Sequence, residues 1–133
     1  MDRLDNDIVK RLRRDARTPF LQIAKELAVS EGTIRKRVKD LIKIKEIKKF
    51  TVETAEDTFA IVGIQTETRT QTKSIVEKIK ANGVDSIYEV TGRFDIICMV
   101  PQLDRERVNE VLEKIRSIEG VNHTETFTVL KKN

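Results

Sequence analysis

Arg35, Lys36, Arg37 and Lys39 stand close together, with no acid between Ile34 and Lys39. Most charge runs are only the solvated side of a helix. Unmixed cations on one helical face can do more: they attract phosphate, and an arginine can bond guanine through two N–H groups at once. The apolar residues around them predict such a face. Ile34, Val38, Leu41 and Ile42 fall at i, i+4, i+7 and i+8, a stripe that faces a core and turns the cations mostly to the other side. Just upstream, Ile23, Ala24 and Leu27 make the apolar face of a shorter helix, and the small Ala24 lets two helices approach. Ala28 and Val29 break the rhythm, and Ser30 offers a hydroxyl to cap the next helix. A short helix, a tight turn and a basic amphipathic helix are what the major groove of duplex DNA accepts. The candidate contacts on the basic helix are Ser30, Thr33, Arg35, Lys36, Arg37 and Lys39.

These residues need elements to position them. Leu4, Ile8 and Leu12 predict a first helix, with Asp2 or Asp5 as its cap. Residues 15–19 break it; Thr18 is the expected cap of the second helix and Pro19 suits its first turn. The second helix runs to about Leu27 and the third from about Ser30 to Ile44. Residues 47–52 then alternate apolar and polar, the period of a strand, and carry Lys48 and Lys49. Three helices and such a strand predict a winged helix-turn-helix over residues 1–52. On its wing the two lysines either touch backbone phosphate or protect a strand edge.

Residues 53–57 read as a short acidic linker, and from 58 to 133 the pattern changes. A strand at Thr58 to Gln65 is followed by a helix at Gln71 to Asn82, stopped by Gly83. Strands at Val84 to Thr91 and Phe94 to Val100 flank a turn at 92–95. A helix capped by Asp104 buries Val108, Val111, Leu112 and Ile115, and a last strand runs from Val121 to Leu130. The order β-α-β-β-α-β is the ferredoxin-like arrangement, giving an α+β chain of two parts. Its open sheet face carries apolar residues that one layer of helices cannot cover, and dimerisation is the natural remedy.

Charge divides at the same place. Residues 1–52 carry 15 Lys and Arg against 8 Asp and Glu, while residues 53–133 carry 11 against 14. A basic part suited to phosphate is thus joined to a mildly acidic part with another task. No apolar run is long enough to span a bilayer and no secretory pattern opens the chain, so the cytoplasm is the expected compartment. The one cysteine, Cys98, lies in an apolar run and reads as a buried structural thiol. His123 is the only histidine, so no metal site is expected, and the scattered glycines form no phosphate-cradling loop. No enzymatic constellation stands out. One tyrosine, Tyr88, without an aromatic pair on a central strand argues against stacking RNA bases.

Across nearly its whole length the chain resembles the Lrp/AsnC, or feast/famine, regulators, in their archaeal form. The resemblance is carried by Leu4-Asp5, Asp15-Ala16-Arg17, Ile23-Ala24 with Leu27, and Ser30, Thr33-Ile34, Arg37-Val38-Lys39 and Leu41. Ile47-Lys48-Lys49-Phe50 and Val90-Thr91-Gly92-Arg93-Phe94-Asp95 complete it. Two departures stand out: the glycine usual before the wing is replaced by Ile44-Lys45-Glu46, and the usual Asp-Pro connector with its glycine is absent from Thr51 to Phe59.

The resemblance implies a transcriptional regulator whose second domain, of the RAM or ACT-like kind, binds an amino acid between subunits, glutamine being the first candidate. It implies dimers that assemble further, commonly to octamers. By position it places effector-binding residues at Glu89, Val90, Thr91, Gly92, Arg93, Phe94 and Asp95, at Asn109 and Glu113, and at Thr124, Glu125 and Thr126. The chemistry agrees in part: Asp95 or Glu89 would meet an ammonium, backbone N–H groups near Gly92 a carboxylate, and the threonine hydroxyls a polar side chain. Without the resemblance, Gly92 and Asp95 read as a plain hairpin turn. The competing function is an architectural protein that coats DNA without an effector.

Overall fold

The computed structural model describes residues 1–133 and divides them into two compact units, Met1–Val52 and Glu53–Asn133. In the first unit three helices form: α1 (Arg3–Arg14), α2 (Phe20–Leu27) and α3 (Glu31–Lys43). Asp2 caps α1 in a capping box: its carboxylate accepts from the Asp5 N–H at 2.9 Å and the Asp5 carboxylate accepts from the Asp2 N–H. Ser30 caps α3 by accepting from the Thr33 N–H at 3.1 Å. The expected Thr18 cap of α2 is not made. Pro19 occupies the cap position without a side-chain bond, and the Thr18 hydroxyl donates to the Asp15 carbonyl at 2.7 Å.

Ile8, Leu12, Ile23, Ala24, Ile34 and Val38 close into one core, with Leu4, Phe20, Leu27, Val29 and Ile47 packed against it. Ile42, expected on the same stripe, is 47 % exposed. The helix ends one residue later, at Lys43, and residue 42, about 80° round from Ile34, lies past the edge of the buried face.

The end of α3 explains the first departure from the family pattern. Lys45 adopts φ 60°, its N–H donates to the Ile42 carbonyl and the Glu46 N–H to the Leu41 carbonyl. This is a left-handed helix stop of the kind usually given to glycine, here made by a lysine whose Cβ opposes it. Lys45→Gly is therefore expected to stabilise this unit by about 0.5–1 kcal/mol. A raised thermal midpoint checks it, and a lowered one would show that the lysine side chain is needed there.

The wing strand predicted over residues 47–52 does not form: these residues join no ladder. The alternation is present, but a strand is held by a neighbour's N–H and C=O groups, and the first unit contains no second strand to supply them. Ile47 still joins the core while Phe50 and Val52 are left exposed.

The second unit runs β1 (Thr58–Thr66), α4 (Thr72–Ala81), β2 (Ser86–Glu89), β3 (Ile96–Pro101), α5 (Arg105–Arg116) and β4 (Val121–Thr128). All strands are antiparallel, in the spatial order β2-β3-β1-β4. Ala60, Val62 and Ile64 of β1 point to one sheet face and are buried, as are Ile96, Cys98 and Val100 of β3, whose neighbours in the strand are half-buried. Both sets meet Ile75 and Ile79 of α4 and Val111 and Ile115 of α5 in one core. Asp104 caps α5 as expected, accepting from the Arg107 N–H at 2.9 Å. The other sheet face presents Ile61, Ile97, Met99, Tyr88 and Phe127, of which Tyr88 and Phe127 are about half exposed.

Three strands are shorter than predicted; the last, β4, ends at Thr128 rather than Leu130, because its ladder with β1 runs out near the start of that strand, at the pair Ala60 and Thr128. Val84 plunges into the core before β2 begins, and β3 begins at Ile96 because Phe94 and Asp95 are used otherwise.

Candidate functional site

At 100° per residue, the side of α3 away from Ile34, Val38 and Leu41 carries Gly32, Lys36, Lys39 and Lys43, all exposed. No acidic side chain pairs with any of the three lysines. Lys43 was not among the residues expected from sequence, although its spacing, four after Lys39 and seven after Lys36, is the signal that finds it. Arg35 flanks this face. Its guanidinium bonds Glu31 Oε1 at 2.7 Å and lies 5.9 Å from the centroid of the Phe20 ring. The hydroxyls of Ser30 and Thr33 are 2.8 Å apart and hydrogen-bonded to each other, so they start the helix as well as standing at its exposed end. Lys48 and Lys49 are exposed on the segment after Ile47.

Arg37 is different. It turns back to α1, where its Nη1 bonds the Asp2 carboxylate and lies 3.3 Å from Asp5 Oδ1. Its work in this chain is to tie α3 to the start of α1. The Arg37 bond and the Asp5 N–H hold the Asp2 carboxyl below the usual carboxylate range. A lowered folded-state pKa contributes stability that is present above the unfolded value and lost as pH falls through the folded one. Asp2→Asn, which keeps a capping oxygen, is thus expected to lower stability at pH 7 and to match the wild type once the pH is well below about 4. Urea midpoints at both pH values measure it; a gap that persists in acid would show that the charge is not what matters.

In the second unit, residues 90–95 fold back on the sheet. The Val90 N–H donates to the Asp95 carbonyl and the Asp95 N–H to the Ile64 carbonyl, each at 2.9 Å. Asp95 Oδ2 accepts from the Thr66 N–H at 2.8 Å and the Thr66 hydroxyl at 3.2 Å. Gln65 Nε2 donates to the Arg93 carbonyl at 2.9 Å. The Phe94 ring lies flat on Gly63, so close that a Cβ there would sit 2.6 Å from the ring. Arg93 closes over the top, 5.7 Å from the Phe94 centroid and 3.3 Å from Glu125 Oε2, a buried oxygen that accepts no directed hydrogen bond. One carboxylate oxygen of Asp95 is therefore committed to β1, and the segment is a braced loop rather than a plain hairpin turn. Gly63, missed from sequence, is what lets it lie down. A lone glycine inside the apolar run Ile61-Val62-Gly63-Ile64 is the signal for such a close approach.

One chain does not gather the expected effector residues. Register pairs Thr124 with Ile64 and Thr126 with Val62, which places both hydroxyls on the helix-bearing face, while Glu125 pairs with Gly63 on the other. Asn109 and Glu113 are exposed on α5, and Glu113 bonds Arg116. A groove of about 560 Å³ at the carboxyl ends of α4 and α5 includes Glu113, Lys78 and Asn82 but none of the loop residues. Glu89, Val90, Thr91 and Gly92 are exposed. Cys98 is buried and its thiol is pushed up to about 11 by that burial, so it is unreactive. No group of His, Cys, Asp and Glu is placed to hold a metal ion, and no helix is long and apolar enough to cross a membrane.

Residues 1–42 match the family model of the AsnC-type helix-turn-helix domain, and residues 59–132 match that of the Lrp/AsnC ligand binding domain. The chain belongs to the Lrp/AsnC family. It is 40 % identical over 134 residues to the HTH-type transcriptional regulator LysM of Sulfurisphaera tokodaii, covering 98 % of this chain and 96 % of that one. The LysM of Saccharolobus solfataricus is equally similar, at 40 %, covering 98 % and 94 %. The structure of E. coli AsnC superposes with a TM-score of 0.69 at 27 % identity, over 99 % of this chain and 93 % of that one. A feast or famine regulatory protein from M. tuberculosis, complexed with L-methionine, shares the fold with a TM-score of 0.77 at 20 % identity, over 98 % and 92 %. This Lrp/AsnC protein is thus a DNA-binding transcriptional regulator with a ligand-binding domain, and not an enzyme.

Proposed function

We propose that residues 1–52 read duplex DNA through the exposed side of α3 and that residues 58–133 assemble the chain and bind an amino acid that tunes the reading. The observation that carries the first half is the row Lys36, Lys39 and Lys43, exposed and without acidic partners, on the side of α3 away from its core. These lysines hold phosphate, while Ser30, Thr33 and Arg35 stand at the end of the helix nearest the base edges. Arg37 reaches DNA only by giving up Asp2, so it braces α3 and makes no DNA contact. Lys48 and Lys49 add phosphate contacts beside the helix.

For the second half, the apolar face with Ile61, Ile97, Met99, Tyr88 and Phe127, which no helix covers, supports pairing with a second copy; further assembly to an octamer is carried over from the family. Because one chain splits the effector residues between two sheet faces and α5, a site built from them needs more than one copy. The ammonium partner is then Glu89 or the free oxygen of Asp95, and the N–H groups near Gly92 meet the carboxylate. The methionine held by the M. tuberculosis relative supports an amino acid as the ligand class; glutamine is the first to try. The protein then acts in the cytoplasm, on an operator with two-fold symmetry and half-sites about 34 Å apart or a multiple of that.

The test is operator affinity and assembly mass, measured with each free amino acid in turn. A change with one of them supports the reading. No change with any removes the effector, since a ligand that binds all states equally shifts nothing. Uniform rather than discrete footprints would make the protein an architectural one.

A further inference from the structure

Gly32 is the one glycine that the fold does not explain. The chain has five. Gly83, Gly92 and Gly120 hold positive φ, and Gly63 lies under the Phe94 ring. Gly32 has neither reason. It lies in the first turn of α3 without a positive φ, it is exposed, and a Cβ added to it would meet only the Ser30 hydroxyl oxygen, at 3.9 Å. Within a helix glycine is less favourable than alanine, so the fold gives no reason for glycine here. Nothing within the chain requires this position to be bare.

Its surroundings indicate a use for a bare position. Gly32 shares the outward side of α3 with Lys36, Lys39 and Lys43, and it sits between Ser30 and Thr33 at the amino end of that helix. A missing side chain lets backbone come into contact with a partner. The first residues of a reader helix are the ones that reach base edges.

We infer that at Gly32 the backbone of α3 touches the floor of the major groove, and that the bare position sets how deep the helix sits. This rests on the reading of α3 as the reader helix. A methyl group here holds α3 away from the bases. Hydrogen bonds from Ser30, Thr33 and Arg35 to base edges weaken steeply with such a shift, whereas the lysines, acting as flexible point charges on phosphate, follow it. Gly32 is therefore a specificity-determining position.

The experiment uses the full chain and duplexes that the wild type selects from a random-sequence pool. Affinities of wild type and Gly32→Ala are measured on a selected duplex and on a scrambled duplex of the same composition. Gly32→Ala is expected to lose about tenfold or more on the selected duplex and to stay within about twofold on the scrambled one. Its thermal midpoint should be equal to or above that of the wild type. Unchanged affinity on the selected duplex overturns the inference alone, and so does an equal loss on both duplexes, which would place the effect on phosphate contact or assembly. A wild type that selects no sequence overturns the inference together with the reading beneath it.

Discussion

The double variant Lys36→Glu, Lys39→Glu is expected to bind duplex DNA at least about a hundredfold more weakly than wild type near physiological salt. Both side chains are exposed and without acidic partners, so the change leaves the core of the first unit intact and stability within about 0.5 kcal/mol. Two proposed phosphate contacts become two repulsions, and the net charge of residues 1–52 falls from +7 to +3. The neutral pair Lys36→Ala, Lys39→Ala separates charge from shape. It should reduce the slope of log affinity against log salt by about 2, with little change in which sequences are preferred. A double glutamate variant that binds as tightly as wild type would show that DNA is held elsewhere on the first unit.

Ile34→Ala is expected to destabilise the first unit by about 2–5 kcal/mol. Ile34 is fully buried at the centre of the cluster with Ile8, Ile23, Ala24 and Val38, and the neighbours, held on three short helices, cannot all move in to fill the space. A unit of this size has only about 3–8 kcal/mol of stability in total, so the loss takes a large share of it. Melting followed by hydrogen exchange should show α1 to α3 opening early while β1 and β3 keep their protection. If both units lose protection together, they fold as one cooperative body. If neither does, the core repacks and the cavity argument fails.

Much of the fold was legible in the sequence because it is written in short-range signals. Asp2, Ser30 and Asp104 stand where caps are needed, and each accepts the N–H three residues on. The 3.6 period marked the helices, and runs of strand-forming residues between turn residues marked the four strands of the second unit. The wing failed for an instructive reason: residues 47–52 have the period of a strand, but period is a property of one segment and a ladder needs two. The strand ends at Val84 and Phe94 failed likewise, because the core and Gly63 claim those residues. At residues 44–46 the sequence has no glycine, yet Lys45 takes the left-handed conformation that glycine adopts most easily.

The candidate site divides along the same line. By itself the sequence determined that α3 is amphipathic and basic, that a β-α-β-β-α-β unit follows it, and which residue types crowd near Gly92. All of these depend on neighbours within a turn or two, where spacing alone sets direction. Only the tertiary structure decided what each charged group does. Arg37 looks like its neighbours in sequence, yet it is taken up by Asp2, 35 residues away. Asp95 looks free for a ligand, yet one of its oxygens braces Thr66, 29 residues away. Phe94 lies down because Gly63 is bare. Such pairings are set by how helices cross and how strands register, and a run of residue types carries no record of either.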